Sequence, residues 1–160
     1  MEPHQHLHDM IRGFDTAMLV TCNADGPLHA RPMAIASLEQ EADAYLATRI
    51  ESPKVHEIES DPHVLLTFQS RSQFATVEGT ASVVRDQALI DRLWSDSWKI
   101  WFPGGKADPS LCMLKIEPSS AELWDNSGFQ GTKYLFQGAK ALLQGTTPQM
   151  DENQHAKINL

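Results

Sequence analysis

A succession of short runs with high β propensity, separated by turn-forming residues, constrains the fold of this chain more than any other feature. Clusters such as Asn23-Ala-Asp-Gly-Pro27 and Pro118-Ser-Ser120 are typical of turns between antiparallel strands. A parallel doubly wound sheet would instead alternate strand and helix throughout. The pattern predicts a mainly β fold, an antiparallel barrel-like sheet flanked by short helices. The predicted strands cover residues 16–22, 28–37, 44–48, 63–70, 74–85, 111–117 and 121–124, and the predicted helices cover residues 4–13, 53–60, 86–94 and 128–145.

Three of these runs have features that predict their surroundings. Pro32 has no N–H group for a strand ladder, so it indicates a sheet edge, a bulge or a place where something other than a strand lies against the backbone. Gly79, in the middle of a long strand, predicts a bulge or a bend of the kind that barrels use to turn corners. The nearly continuous apolar run 63–70 is typical of a strand that is buried on both faces.

Composition narrows the class of protein. The 160 residues are 41% hydrophobic and 21% charged, with a formal net charge of -8, which disfavours nucleic acid or an anionic membrane as the main partner. We expect one domain, with a core over about residues 10–125 and a helix and polar tail over 126–160. No apolar segment is long enough to span a membrane and none resembles a signal peptide. Cys22 and Cys112 are expected to be buried free thiols, so the predicted location is cytoplasmic.

Four side chains that suit an anion cluster where a strand gives way to a helix: Thr48, Arg49, Ser52 and Lys54. Ser52 is expected at the N-cap, and Pro53 at the first helical position. Because a helix N-terminus presents free N–H groups, hydroxyls and cations there form a potential phosphate site. The alternative is an ordinary helix start that binds nothing.

Aromatic residues concentrate between positions 94 and 102. Trp94, Trp98 and Trp101 are spaced at i, i+4 and i+7, which predicts one face of a helix docked on the core. Trp101 and Phe102 lie where the pattern breaks into a loop, so packing on the core and contact with a ligand or a second subunit are equally expected for them. No metal site is expected, because alternating histidines near the N-terminus would not share a helix face.

Several of these motifs together resemble one family of flavoproteins, the general stress protein 26 branch of the pyridoxamine 5′-phosphate oxidase-like proteins. The resemblance covers roughly residues 10–125. It is carried by Ala17-Met-Leu-Val-Thr21, Asp25-Gly26, Ala30-Arg-Pro-Met33, Thr48 with Ser52 and Lys54, Val77-Glu-Gly-Thr-Ala81, Leu93-Trp94, Trp101-Phe-Pro-Gly-Gly105, Asp108-Pro109 and Trp124-Asp125.

The resemblance implies a split β-barrel that forms a homodimer, with one FMN in each of two clefts between the subunits. By position, Arg31, Pro32 and Met33 would lie along the isoalloxazine ring. The phosphate would be held by Thr48, Arg49, Ser52 and Lys54, and Trp101 would approach from the second subunit. Charge-assisted donors of this kind suit a phosphate that carries two charges near neutral pH.

The resemblance leaves the activity open. Genuine pyridoxamine 5′-phosphate oxidases carry a C-terminal Arg-x-His-type segment, and residues 154–160 do not match it, so oxidation of vitamin B6 is not expected. One hypothesis is an FMN-dependent oxidoreductase acting on a small molecule. A second is a flavin-binding stress protein without a dedicated substrate. A third is that the barrel holds deazaflavin or haem, with His29, His56 or His63 as generic axial candidates.

Overall fold

Between residues 16 and 85, each predicted run forms the element that its pattern indicates, to within one residue at either end. The computed structural model describes residues 2–39, 43–128, 137, 139–145, 147 and 154–160. The helices are α1 (Pro3–Ile11), α2 (Pro53–Ser60) and α3 (Gln87–Leu93), with 3₁₀ turns at Asp96–Ile100 and Gly105–Ala107. The strands are β1 (Thr16–Cys22), β2 (Leu28–Leu38), β3 (Ala44–Arg49), β4 (His63–Gln69), β5 (Gln73–Val84), β6 (Leu111–Asp125) and β7 (His155–Asn159).

The strands of the described residues form one antiparallel sheet in the order β3-β2-β1-β4-β5-β6-β7. Strand β3 also pairs with β6, so six strands close into a barrel and β7 is added beside β6. This confirms the predicted mainly β, antiparallel split-barrel fold with short flanking helices. Strand β1 lies next to β2, and β4 lies next to β5, because each pair is joined by a short hairpin connection.

Buried and exposed side chains alternate along the strands, and the apolar side chains form two clusters, one inside the barrel and one outside. In β1, for example, Ala17, Leu19 and Thr21 are buried while Thr16 and Met18 are exposed. The inner cluster is capped by α1 and α2. The outer cluster lies where α3 and the first 3₁₀ turn cover the far side of β3 and β6, and its buried members are Leu89, Ile90, Trp98, Phe102, Leu111 and Met113.

One predicted pair of strands is a single strand. The turn expected at Pro118-Ser-Ser120 does not form, and β6 runs through it without interruption. Its register with β5 shifts between Glu78 and Gly79, and Gly79 is opposite Pro118. The bulge predicted at Gly79 is confirmed, and it also explains how a proline is accommodated within a strand.

The predicted tryptophan stripe is wrong as a continuous helical face. Asp86 caps α3 as expected, accepting a hydrogen bond from the N–H of Ala88, but the helix ends at Leu93. Trp98 then lies in a 3₁₀ turn and packs edge-on against Trp94, with ring centroids 5.6 Å apart. The chain therefore folds back on itself where an uninterrupted helix was expected.

Three further predictions are corrected by the structure, and a fourth lies partly outside the described residues. Strand β4 alternates buried and partly exposed residues, so it is not buried on both faces. The tail contributes β7, which the polar sequence did not predict. Cys112 is buried and Cys22 only half-buried, and both are free. Of the helix predicted over 128–145, positions 129–136 and 138 lie outside the described residues, while 139–144 are helical.

Two kinds of feature are absent from the described residues. None of the helices there has the length and apolar character needed to cross a bilayer. No group of three or more histidine, cysteine, aspartate or glutamate side chains in that part of the chain could hold a metal ion.

Candidate functional site

A cleft opens where β2 and β3 separate. The two strands pair only from Ile35 to Leu38 on β2, so among the described residues no strand pairs with residues 28–34 on the β3 side. The opening encloses about 300 Å³, a volume at the small end of the range for ligand sites. We call it the β2–β3 cleft. It is lined by Pro32, Met33, Ala34, Ala47, Thr48, Arg49, Lys54, Trp98, Trp101 and Phe102.

One end of the β2–β3 cleft is polar. The ammonium group of Lys54 donates a hydrogen bond to Thr48 Oγ1 at 3.0 Å, and Ser52 Oγ lies 3.5 Å from the same oxygen. Ser52 has the extended backbone of an N-cap and Pro53 is the first helical residue, as predicted. The Ser52 side chain, however, makes no capping hydrogen bond. Its hydroxyl is directed to the group of side chains around Thr48.

Lys54 carries a charge that its surroundings do not neutralise. Burial and, secondly, the nearby Arg31 guanidinium hold the pKa of Lys54 below its ordinary value, although Cys112 and Glu57 oppose the shift. Among the described residues, no carboxylate lies within ion-pair distance of its ammonium. A bound anion would supply the missing counter-charge.

The remainder of the β2–β3 cleft is apolar. The buried side chains of Met33, Trp98 and Phe102 line this part of the cleft, together with Pro32 and Ala47. Trp101 stands at the rim with 57% of its surface exposed. The Arg49 guanidinium donates a hydrogen bond to the Trp101 carbonyl oxygen at 3.1 Å, which links the backbone at Trp101 to the end of β3. The site thus joins a cationic end to a flat apolar wall.

A buried carboxylate lies behind this cleft. Glu57 accepts hydrogen bonds from Thr21 Oγ1, from His29 Nδ1 at 2.5 Å and from Arg31 Nη2 at 3.0 Å. We call these four residues the Glu57 cluster. Burial raises the pKa of Glu57, but the bonds from Thr21, His29 and Arg31 outweigh it and hold the pKa below the ordinary value. Glu57 is therefore ionised at neutral pH.

Comparison with known proteins decides the family. A model of the family described as "Pyridoxamine 5′-phosphate oxidase like" matches residues 2–149 of the chain. The chain belongs to this family.

Two curated proteins are similar to part of this chain. General stress protein 26 of Bacillus subtilis is 36% identical over 84 residues, which are 49% of this chain and 59% of that protein. The chain spans only 51% and 59% of the lengths of the two curated relatives that it matches.

Solved structures agree with the barrel. A general stress protein 26 from Jannaschia sp. CCS1 superposes with a TM-score of 0.73 over 98% of this chain and 97% of that chain, at 24% identity, and therefore compares in fold alone. The general stress FMN/FAD binding protein of Xanthomonas citri is 26% identical, with a TM-score of 0.68 over 79% of this chain and 91% of that one.

Most residues that the sequence and the family resemblance singled out meet at the β2–β3 cleft. Pro32, Met33, Thr48, Arg49, Lys54 and Trp101 line it, and Ser52 is next to Thr48. Trp101 lines the cleft of its own chain. Its approach to the site of a second subunit, which the resemblance implied, stays a prediction.

The contact of Arg31 with the isoalloxazine ring stays a prediction. The Arg31 guanidinium bonds to Glu57, to Thr21 Oγ1 at 2.6 Å and to the Leu19 carbonyl oxygen at 3.4 Å, and it does not line the cleft. Ala47 and Glu57 were not anticipated. No local pattern in the sequence marks either residue, because both depend on how β3 and α2 are placed against β2.

Proposed function

We propose that this protein binds FMN in the β2–β3 cleft and acts as a small-molecule oxidoreductase. The observation that carries the proposal is the Lys54 ammonium, which is bonded to Thr48 and lacks a carboxylate partner among the described residues, beside an apolar wall. A phosphate with a flat ring system would complement both ends. The family membership and the flavin named for the Xanthomonas citri protein support the same cofactor.

The residues present fit such a group. Thr48, Ser52, Lys54 and Arg49 would hold the phosphate, and the backbone of Pro32 and Met33 would lie along the ring. When bound, the flavin supplies the electron-carrying chemistry, and the protein binds and orients it. Trp101, which lines the cleft and is 57% exposed, would be accessible to a small substrate.

We further propose that the active form is a homodimer with the flavin at its interface. The supporting observation is the outward face of β1 and β2, where Met18, Pro32, Ala30 and Leu28 present apolar surface to solvent. Met18 is directly opposite Pro32 in the strand register, so the face is continuous with the cleft. Apolar patches of this kind mark contact surfaces. Because both cysteines are free, we propose a reducing compartment, the cytoplasm.

Sedimentation of purified protein with FMN at micromolar concentration tests the cofactor and the dimer together. We expect flavin absorbance to move with a species of twice the 17.8 kDa chain mass. A monomer that carries flavin would contradict the interfacial site, and flavin that stays behind would contradict the cofactor.

Anaerobic addition of NADH or NADPH then tests turnover. Bleaching of the flavin absorbance supports an oxidoreductase. A flavin that neither nucleotide reduces, and that no small-molecule donor reduces, would favour a stress protein that binds flavin without a dedicated substrate.

A further inference from the structure

The part of β2 that borders the β2–β3 cleft is hydrogen-bonded to a neighbouring strand on its β1 side, where it pairs with β1. Residues 28–34 pair with β1, and in the part of the chain that the structure describes no strand pairs with them towards β3. The inward side chains of His29 and Arg31, on the same side of the sheet as the buried Thr21, both bond to Glu57 of α2. Directional bonds from this stretch to α2 therefore converge on one carboxylate.

The same helix carries the polar end of the cleft. Lys54 lies in the first turn of α2 and Glu57 lies one turn later. Val55 and Ile58 anchor α2 in the core, but apolar contacts fix orientation less strictly than hydrogen bonds do. Glu57 consequently links the helix bearing Lys54 to the strand bearing Pro32 and Met33.

We propose that Glu57 is a positioning residue that holds the two walls of the β2–β3 cleft in register and thereby makes the cleft prefer FMN to riboflavin. This inference rests on the proposed function. A ligand with a ring and a phosphate must meet both walls at once, so its affinity depends on their spacing. Riboflavin has no phosphate and depends mainly on the apolar wall.

If the role of Glu57 were purely electrostatic, replacing it would change the affinity for FMN in the opposite direction. Its negative charge lies one helical turn from Lys54 and is balanced by Arg31 at 3.0 Å. If Glu57 acted only as a counter-charge, removing it would make the cleft more positive, and FMN would bind more tightly. Positioning predicts weaker binding of FMN, so the direction of the change separates the two roles.

Glu57→Gln tests the proposal, because it keeps the size of the side chain and removes the charge that holds three donors. We expect the Kd for FMN to rise about tenfold and the Kd for riboflavin to change by less than about twofold. Glu59→Gln is the matched control, on the same helix but 60% exposed and 3.7 Å from His56. An unchanged or tighter FMN Kd, or an equal loss for both flavins, would overturn the proposal.

Hydrogen exchange without flavin provides the second readout. Amides of residues 28–34 and 53–60 should exchange faster in Glu57→Gln than in Glu59→Gln, and equal protection would overturn the proposal. If the wild type binds neither flavin, the proposed function fails, whereas the exchange comparison still decides whether Glu57 holds helix and strand together.

A milder variant covers the case in which Glu57→Gln does not fold. His29→Ala removes one donor from the cluster at a side chain that is 45% exposed. We expect a smaller loss of FMN preference in the same direction. An unchanged ratio of FMN to riboflavin affinity in this folded variant would contradict the positioning role.

Discussion

Lys54 shows how a single side chain defines the chemistry of the cleft. Burial makes its charged form costly, and its described partner is the hydroxyl of Thr48, 3.0 Å away. Binding of a phosphate would offset this cost and return the pKa of Lys54 towards its ordinary value. Protonation of Lys54 and anion binding should therefore be coupled.

Lys54→Met is expected to weaken FMN binding by about 1.5–3 kcal/mol, a tenfold to hundredfold rise in Kd, because one charge-assisted contact is lost while most of the apolar stem remains. Riboflavin should bind both forms equally. Fluorescence titration measures both constants, with Lys157→Met, 76% exposed on β7, as the control. Unchanged FMN affinity in a folded Lys54→Met variant would make residues 52–54 an ordinary helix start.

The sequence anticipated this residue but not Glu57, for a physical reason. Thr48, Ser52 and Lys54 are close in sequence, and the change from strand to helix brings them together locally. Glu57 acquires its role only when β1 and β2 deliver donors from 36 and 26 residues away. A carboxylate on a short helix otherwise indicates a solvated side chain.

At the scale of elements, the pairing of β5 with β6 depends on the absence of a side chain. A Cβ atom at Gly79 would come within 2.2 Å of the Glu117 carbonyl oxygen and 2.8 Å of Pro118 Cα. Both are backbone atoms, so the clash could not be relieved by rotating a side chain. The bulge allows the two backbones to approach closely.

Gly79→Ala should therefore destabilise the protein, by about 1–3 kcal/mol from overpacking alone. The melting temperature should fall by about 2–4 °C for each kcal/mol. Gly26→Ala is the control, because a Cβ atom there meets nothing within 4 Å. Equal melting temperatures for the two variants would show that the β5–β6 pair adapts more easily than this geometry allows.

The pairing of β5 with β6 also explains why the turn predicted at residues 118–120 does not form. Pro118 with two serines resembles a turn, since proline within a central strand is unfavourable. The sequence could place a bulge at Gly79, but not the register that puts Gly79 opposite Pro118. Similarly, the spacing of the tryptophans suits a helix, yet α3 ends at Leu93 because tertiary packing of Trp98 takes precedence.

At the scale of the whole molecule, two buried carboxylates join separate layers. Glu57 ties α2 to β1 and β2. Asp125 on β6 accepts from His6 of α1 at 2.8 Å and from Gln73 of β5 at 3.3 Å. Burial raises the pKa of Asp125, but bonds from Ser127, His6 and Gln73 hold it below the ordinary value.

Stability should consequently decline in acid. Because both pKa values are lowered in the folded state, each carboxylate contributes fully above its ordinary pKa of 4.5 or 3.8 and loses that contribution as the pH falls through the lower folded value. Denaturant unfolding from pH 7 to pH 3 should show this fall. Asp125→Asn should be less stable at neutral pH and lose less in acid, whereas Asp25→Asn, at an exposed site, should follow the wild type.

Closure of the barrel by β3 and β6 has a consequence for the nascent chain. Residues 32–54, which carry most of the cleft, emerge early, but Ala44–Arg49 pairs with Ile116–Leu111, and Thr48 is opposite Cys112. Pairings so distant in sequence form late in folding, and the ribosome adds only about 5–20 residues per second. These residues therefore remain, for seconds, without the strand that closes the barrel against β3. We therefore expect a ligand of this cleft to bind only after synthesis has passed β6.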